Sequence, residues 1–256
     1  MKLPRIFALV IIAILIFFAG FIAGWTTLAP PPAGDTDLLY QVSTYTNLAG
    51  GGYDGMVPVG ELMHHGDLGL GTFDGLDGEM VVLGGECFQV KADGTVHRPG
   101  PSAMVPFAAV TPFEPDLVIA NITAGNLTEL GAILDARLPT RSVFWAVRME
   151  GTFPYVKARS VPAQKKPYPP LADALKNQSV FEFRNETGTV VGIFTPSTAN
   201  GIDPLGYHFH FISADRTRGG HVLDIATEGA RAELDTTPRI TVILSPEPGK
   251  TPDAEH

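Results

Sequence analysis

The sequence predicts an α/β protein with few helices, built in two subdomains from antiparallel or mixed β-sheets. Three observations predict this fold class. Most of the chain after residue 37 consists of short apolar and β-branched runs separated by glycine, only two later segments have helical spacing, and a proline-rich stretch at residues 161–171 divides the strand-like runs into two groups. We therefore expect an N-terminal α/β subdomain over 37–165 and a β-rich C-terminal subdomain over 166–256.

The N-terminus carries a separate signal. Lys2 and Arg5 precede an uncharged apolar run over residues 6–25, and a helix of about 20 residues spans a bilayer core of roughly 30 Å. The basic end is expected to stay cytoplasmic, so the rest is exported, either secreted or anchored at the outer face of the membrane. Residues 1–25 are a signal peptide or a membrane anchor, and cleavage stays open because the run is long and no clean A-x-A site follows it. Residues 26–36 are a linker.

Charge and cysteine content exclude some classes of partner and cross-link. Without Lys2 and Arg5, 16 basic and 27 acidic side chains remain, a net charge of −11. This charge argues against nucleic acid or anionic lipid as a partner, so contact with the membrane would depend on the N-terminal helix, if it is retained. The single cysteine, Cys87, cannot form an internal disulfide.

The first subdomain is expected to contain three strand regions and one helix. Residues 38–46 and 142–161 have strand character, and residues 79–99 are expected to form a hairpin around the turn ADGT. Residues 126–137, NLTELGAILDAR, have apolar side chains at helical spacing behind an Asn cap.

The second subdomain is expected to begin with a short helix and continue as strands. Residues 169–178 open with two prolines, which suit a helix start. The strand-like runs that follow lie at residues 180–196, 207–212, 219–234 and 239–244.

Three of the seven histidines lie within the stretch GYHFHFISADRTRGGHVLD. In a strand, His208 and His210 project from one face, and a hairpin through SADRTRGG would bring His221 beside them. Three neutral imidazoles that leave a fourth position open form the ligand set of a catalytic zinc site. The alternative is a set of hydrogen-bonded core histidines, but burial of three imidazoles without a compensating partner is costly.

The chain resembles the α-acetolactate decarboxylase family from about Tyr40 to Leu234. The resemblance lies in YQVSTYTNLAGGGYDG, GELMHHGDLGLGTFDGLDGEMVVLGGECFQVKADG, VPFAAVTPF, GTFPYVKARSVPAQKKPYPPL and GYHFHFISADRTRGGHVLD. It implies a zinc-dependent lyase that converts (S)-2-acetolactate to (R)-acetoin and CO₂. It also fits an exported enzyme, because some members of the family are secreted.

The resemblance also implies roles for individual residues. His208, His210 and His221 fall on the family's zinc ligands, Glu79 on a glutamate at the metal, and Arg159 on an arginine that faces the substrate. Thr72 falls on a pocket residue. The family also brings a glutamate from its C-terminal tail to the metal. Glu255 lies near the corresponding place, and Glu247 is the alternative.

This ligand set suits the implied chemistry. Loss of CO₂ from acetolactate leaves an enediolate, whose charge a zinc ion can stabilise as a Lewis acid. Arg159 could orient substrate oxygens and Glu79 could deliver the proton. Two alternatives remain open: an extracytoplasmic metal-binding protein without activity, and a metal-dependent hydrolase, since an open zinc site also activates water. The oligomeric state, monomer or homodimer, also stays open.

Overall fold

Two large β-sheets dominate the part of the chain that the structure, a computed structural model, describes, namely residues 36–246. In chain order the strands are β1 (Leu38–Val42), β2 (Val57–Pro58), β3 (Leu68–Thr72), β4 (Glu79–Leu83), β5 (Glu86–Val90), β6 (Val96–His97), β7 (Met104–Val105), β8 (Phe107–Thr111), β9 (Leu117–Ala124), β10 (Phe144–Ser160), β11 (Ser179–Thr195), β12 (Gly206–Ser213), β13 (Gly219–Thr237) and β14 (Arg239–Ile243). The α-helices are α1 (Tyr45–Ala49), α2 (Val59–Leu62), α3 (Leu127–Asp135) and α4 (Leu171–Ala174). The prediction of mixed or antiparallel sheets with few helices is confirmed.

The first sheet has seven strands in the order β14-β1-β8-β3-β4-β5-β6. Its pairings are antiparallel except that between β1 and β14. The hairpin between β4 and β5 turns at Gly84 and Gly85, whose φ angles of 59° and 77° suit glycine. The predicted turn ADGT joins β5 to β6, where Val90 pairs with Val96. Strands β2 and β7 form a separate two-stranded ribbon.

The second sheet has the order β10-β11-β12-β13-β9. Strand β13 also pairs with β10, so that β10, β11, β12 and β13 form a closed ring of paired strands. The long strands β10 and β11 pair from Trp145 opposite Phe194 to Ser160 opposite Ser179. The predicted subdomain boundary at residues 165/166 therefore falls between two adjacent strands of one sheet. Strand β14, assigned to the second subdomain, pairs with β1 of the first. The division into two subdomains stays a prediction.

The two sheets pack against each other through a shared apolar layer. Side chains of the first sheet, such as Leu70 and Val81, meet Val191, Ile193 and Ile212 of the second. A second core lies on the other face of the five-stranded sheet, where α3 packs, and a third lies under α2 on the far face of the seven-stranded sheet. Residues of β12 that face the layer between the sheets therefore face β4.

The local predictions succeed for two helices and fail for one segment. Asn126 caps α3, its side chain accepting a hydrogen bond from the Glu129 N–H at 2.9 Å, and α4 follows Pro170. The strand predicted at residues 38–46 was wrong beyond residue 42. Thr44 caps α1 there, because its hydroxyl accepts a hydrogen bond from the backbone N–H of Asn47.

The predicted apolar segment at residues 1–25 and the linker up to residue 35 lie outside the described residues. Within residues 36–246 no helix is both long enough and apolar enough to cross a membrane. Export and membrane anchoring stay predictions.

Candidate metal centre and active site

The three clustered histidines come together on β12 and β13. Residues alternate along β12, so that Phe209 and Phe211 enter the apolar core while His208 and His210 point toward the seven-stranded sheet. The hairpin between β12 and β13 places His221 directly opposite His210. The prediction that a hairpin brings His221 beside His208 and His210 therefore matches the structure.

The imidazole nitrogens converge on one point. His221 Nδ1 lies 3.2 Å from His208 Nε2 and 3.3 Å from His210 Nε2. All three nitrogens lie within 4.8 Å of one another, and within the described part of the chain no other cluster of three His, Cys, Asp or Glu side chains could hold a metal ion. Nitrogens bound at about 2.0–2.1 Å to a tetrahedral zinc lie roughly 3.3 Å apart. Two of the three separations match this value, so the donor set suits a tetrahedral metal ion such as zinc, with a fourth position left over.

The protonation of the imidazoles also suits metal binding. His210 Nδ1 lies 2.7 Å from the Met80 carbonyl oxygen, which can only accept, so Nδ1 carries the proton and Nε2 presents its lone pair to the cluster. Burial, followed by the charge of His208, holds the pKa of both His210 and His221 well below the ordinary value of 6.5. Neutral imidazoles with converging lone pairs are what a metal ligand set requires.

Glu79 stands at the start of β4, beside the imidazole cluster. Its Oε2 lies 3.5 Å from His210 Nε2. Burial raises the pKa of Glu79 to about 7, against the opposing charges of Arg159 and His208. Because His210 Nε2 carries a lone pair, this contact is favourable when the carboxyl is protonated or when a cation lies between the two groups.

The turn before Glu79 is held by Thr72. These two residues pair across β3 and β4, and the Thr72 hydroxyl donates a 2.7 Å hydrogen bond to the Gly78 carbonyl. Gly78 has a φ of 85°, and a side chain there would clash with the backbone of Val90. The predicted pocket residue Thr72 therefore lines the cavity and also fixes the backbone from which Glu79 projects.

Arg159 on β10 lies opposite His221 in the strand register. One terminal nitrogen donates to Gln178 Oε1 at 3.3 Å, whereas Nε is buried and has no hydrogen-bond partner among the described residues. The close approach of β13 to Arg159 depends on Gly220, whose φ is 139° and where a Cβ would lie 2.5 Å from the Arg159 carbonyl oxygen. The guanidinium is half-buried at the edge of the imidazole cluster.

A cavity of about 250 Å³ joins these groups. The five predicted residues Glu79, Arg159, His208, His210 and His221, together with Thr72, form its polar part. Sequence reasoning did not find the remaining lining residues, which are Tyr45, Leu48, Gly71, Leu76, Phe107, Val161, Leu171, Leu175, Pro204 and Tyr207. Most of these side chains are apolar, and a short helix or loop supplies several of them, so no local pattern marks them in the sequence.

Glu255 and its alternative Glu247 lie outside the described residues, so the role of a tail glutamate stays a prediction. His64 and His65 lie just beyond α2 near Glu61, and His97 on β6 contacts Thr95. None of these three histidines lines the cavity.

Comparison with known proteins gives a consistent result. The family model described as alpha-acetolactate decarboxylase matches residues 39–250. The alpha-acetolactate decarboxylase of Methanosarcina mazei is 51% identical over 202 residues, which cover 79% of this chain and 70% of the relative. That of Methylococcus capsulatus is 40% identical over 225 residues, covering 88% of this chain and 86% of the relative.

A solved structure shows the same architecture. The crystal structure of alpha-acetolactate decarboxylase from Bacillus subtilis strain 168 superimposes with a TM-score of 0.80 at 38% identity. The match covers 82% of this chain and 90% of that structure.

Proposed function

Because the chain belongs to the alpha-acetolactate decarboxylase family, we propose that its cavity converts (S)-2-acetolactate to (R)-acetoin and CO₂ in a zinc-dependent reaction. The observation that carries this proposal is the convergence of three imidazole nitrogens beside Glu79 and Arg159 in one cavity. The histidines bring ligands, Glu79 brings a carboxyl group, and Arg159 brings a fixed positive charge.

His208, His210 and His221 would hold the metal. When bound, zinc supplies Lewis-acid stabilisation of negative charge on the hydroxyl and ketone oxygens of the substrate. The Met80 carbonyl fixes the tautomer of His210 and thereby aims Nε2 into the site. Burial keeps His210 and His221 neutral, which avoids competition from protons near neutral pH.

Arg159 would orient the substrate. Its planar guanidinium presents several donors, and those not used by Gln178 are free to bind two oxygens of the substrate at once. Arginine stays charged at physiological pH, so it is unsuited to act as the acid. Its charge instead favours an orientation in which the anionic substrate enters with its oxygens toward the polar end of the cavity.

Glu79 would supply the proton that completes acetoin. Cleavage of the bond to the carboxylate releases CO₂ and leaves its electron pair on the substrate as an enediolate. The carbon that lost CO₂ then takes a proton from the Glu79 carboxyl, which solvent later reprotonates. Burial favours the protonated carboxyl, and its position on one side of the cavity would give a single enantiomer.

The apolar wall would accept the two methyl groups of the substrate. The cavity is also lined by apolar side chains that belong to one hydrophobic cluster, namely Leu48, Leu76, Phe107, Val161 and Leu171. Exclusion of water by this wall would strengthen the electrostatic interactions inside the cavity. It would also limit protonation of the enediolate by water.

The proposal is tested by offering the purified chain racemic 2-acetolactate and, separately, a panel of simple esters. We expect acetoin and CO₂ from one enantiomer of acetolactate and no appreciable ester hydrolysis. The released acetoin should be the (R) form by chiral chromatography. Ester hydrolysis without acetoin would instead identify a metal-dependent hydrolase.

A further inference from the structure

A buried carboxylate contacts the imidazole cluster but is not among the residues that line the cavity. Asp203 belongs to the loop between β11 and β12 and is fully buried. Its Oδ1 lies 3.8 Å from His208 Nδ1, and neither atom has a hydrogen-bond partner among the described residues. Both atoms are buried polar atoms without a partner in this part of the chain, and one of them belongs to a predicted metal ligand. This arrangement indicates a hydrogen bond that forms fully when His208 binds the metal.

The expected ligand atom of His208 determines which group donates the hydrogen bond between His208 and Asp203. Its Nε2 points into the cluster, 3.2 Å from His221 Nδ1, so a metal there would take the Nε2 lone pair. The remaining nitrogen, Nδ1, then carries the proton, and the carboxylate of Asp203 is an acceptor. A movement of about an ångström would shorten the 3.8 Å contact to a hydrogen bond of about 2.7–2.9 Å.

Asp203 is itself held in place. The Thr195 hydroxyl at the end of β11 donates to Asp203 Oδ2 at 3.2 Å, which leaves Oδ1 directed toward His208. The next residue, Pro204, lines the cavity. The loop therefore contributes both the carboxylate that contacts His208 and one residue of the cavity wall.

We propose that Asp203 is a positioning residue for the metal centre: its Oδ1 accepts a hydrogen bond from His208 Nδ1–H and thereby fixes Nε2 as the ligand atom. This inference rests on the proposed metal-dependent function. His208 and His210 are then supported differently, the first by a carboxylate and the second by the neutral Met80 carbonyl. A carboxylate partner makes the imidazole a stronger donor to the metal than a neutral one does.

Asp203→Asn tests the proposal, with Asp235→Asn as the matched control. Asparagine has the shape of aspartate, but if its oxygen keeps the Thr195 contact, its NH₂ group faces His208 Nδ1–H, where an acceptor is needed. Asp235 is also a buried carboxylate of the second sheet with an unpartnered Oδ1, and it contacts the Glu114 N–H rather than a histidine. The two variants therefore separate loss of a buried charge from loss of support for a ligand.

Zinc affinity, measured by competition with a chromophoric chelator, is the readout. We expect Asp203→Asn to bind zinc about 10- to 100-fold more weakly than the parent chain, as is usual when the hydrogen-bond partner of a ligand is lost. Asp235→Asn should bind zinc like the parent. Unchanged zinc affinity in Asp203→Asn, even with lowered thermal stability of its metal-free form, would reduce Asp203 to a structural role. If the parent chain itself bound no zinc, the proposed function would fail first.

A measurement on the unaltered chain keeps the proposal testable if Asp203→Asn does not fold. Long-range ¹H–¹⁵N correlations of the zinc-loaded chain report which ring nitrogen of His208 is protonated. We expect a proton on Nδ1 that exchanges slowly with solvent. An unprotonated Nδ1, or coordination through Nδ1, would overturn the proposal.

Discussion

His210→Ala is expected to lower zinc affinity by more than about 100-fold, because loss of a ligand should exceed the effect of losing a ligand's hydrogen-bond partner. His210 is the most buried of the three histidines and makes two contacts at once, to the Met80 carbonyl and to the imidazole cluster. Without it, two imidazoles remain and the Met80 carbonyl loses its donor. Acetoin formation should fall by about 10³-fold or more, since several kcal/mol of charge stabilisation depends on the metal.

Metal content and acetoin formation of the same preparation provide the measurement. His64→Ala is the matched control, because its side chain is 77% exposed and lies away from the cavity. That variant should keep both zinc and activity within about twofold, as surface substitutions usually do. Full zinc occupancy in His210→Ala would show that the metal binds elsewhere.

Glu79→Gln is expected to keep zinc while slowing acetoin formation by about 10²- to 10⁴-fold, the usual contribution of a positioned acid. Glutamine preserves the shape of the side chain and leaves all three imidazoles in place, but it has no acidic proton to deliver. Residual product should also drift toward racemic acetoin, because water can protonate the enediolate from either face. Zinc content, rate and chirality are measured together.

The control for this change is Glu86→Gln, which removes an exposed carboxylate that pairs with Arg98, the residue just after β6. It should leave rate and chirality unchanged. If Glu79→Gln loses zinc, Glu79 serves chiefly as a ligand, and the acid must lie elsewhere, with Glu255 as the first alternative. If the variant keeps both the parental rate and the (R) product, the proton does not come from Glu79.

The histidine cluster could be predicted from sequence because its geometry is local. Alternation along β12 puts His208 and His210 on one face, and a single hairpin brings His221 opposite His210. Glu79 and Arg159 required the family resemblance, since they lie on β4 and β10 and reach the cluster only through sheet packing. Spacing along the chain contains no information on such contacts.

Other parts of the fold could not be read from local patterns. The parallel pairing of β1 with β14 joins residues about 200 positions apart, and the apolar wall brings Leu48 beside Leu171. Residues 43–46 continue a strand-like composition, yet the Thr44 cap starts a helix there. Asp203 gave no signal either, because a single aspartate in a turn-rich loop is typical of any surface turn.

Zinc removal and stepwise return, followed by acetoin formation, tests the central claim most directly. The purified chain is stripped with a chelator, dialysed and titrated with zinc while the initial rate on 2-acetolactate is measured. The structure's single three-histidine cluster within residues 36–246 predicts a nearly inactive stripped protein and a rate that rises linearly to a plateau at one zinc per chain. Full activity in the metal-free chain would contradict the account.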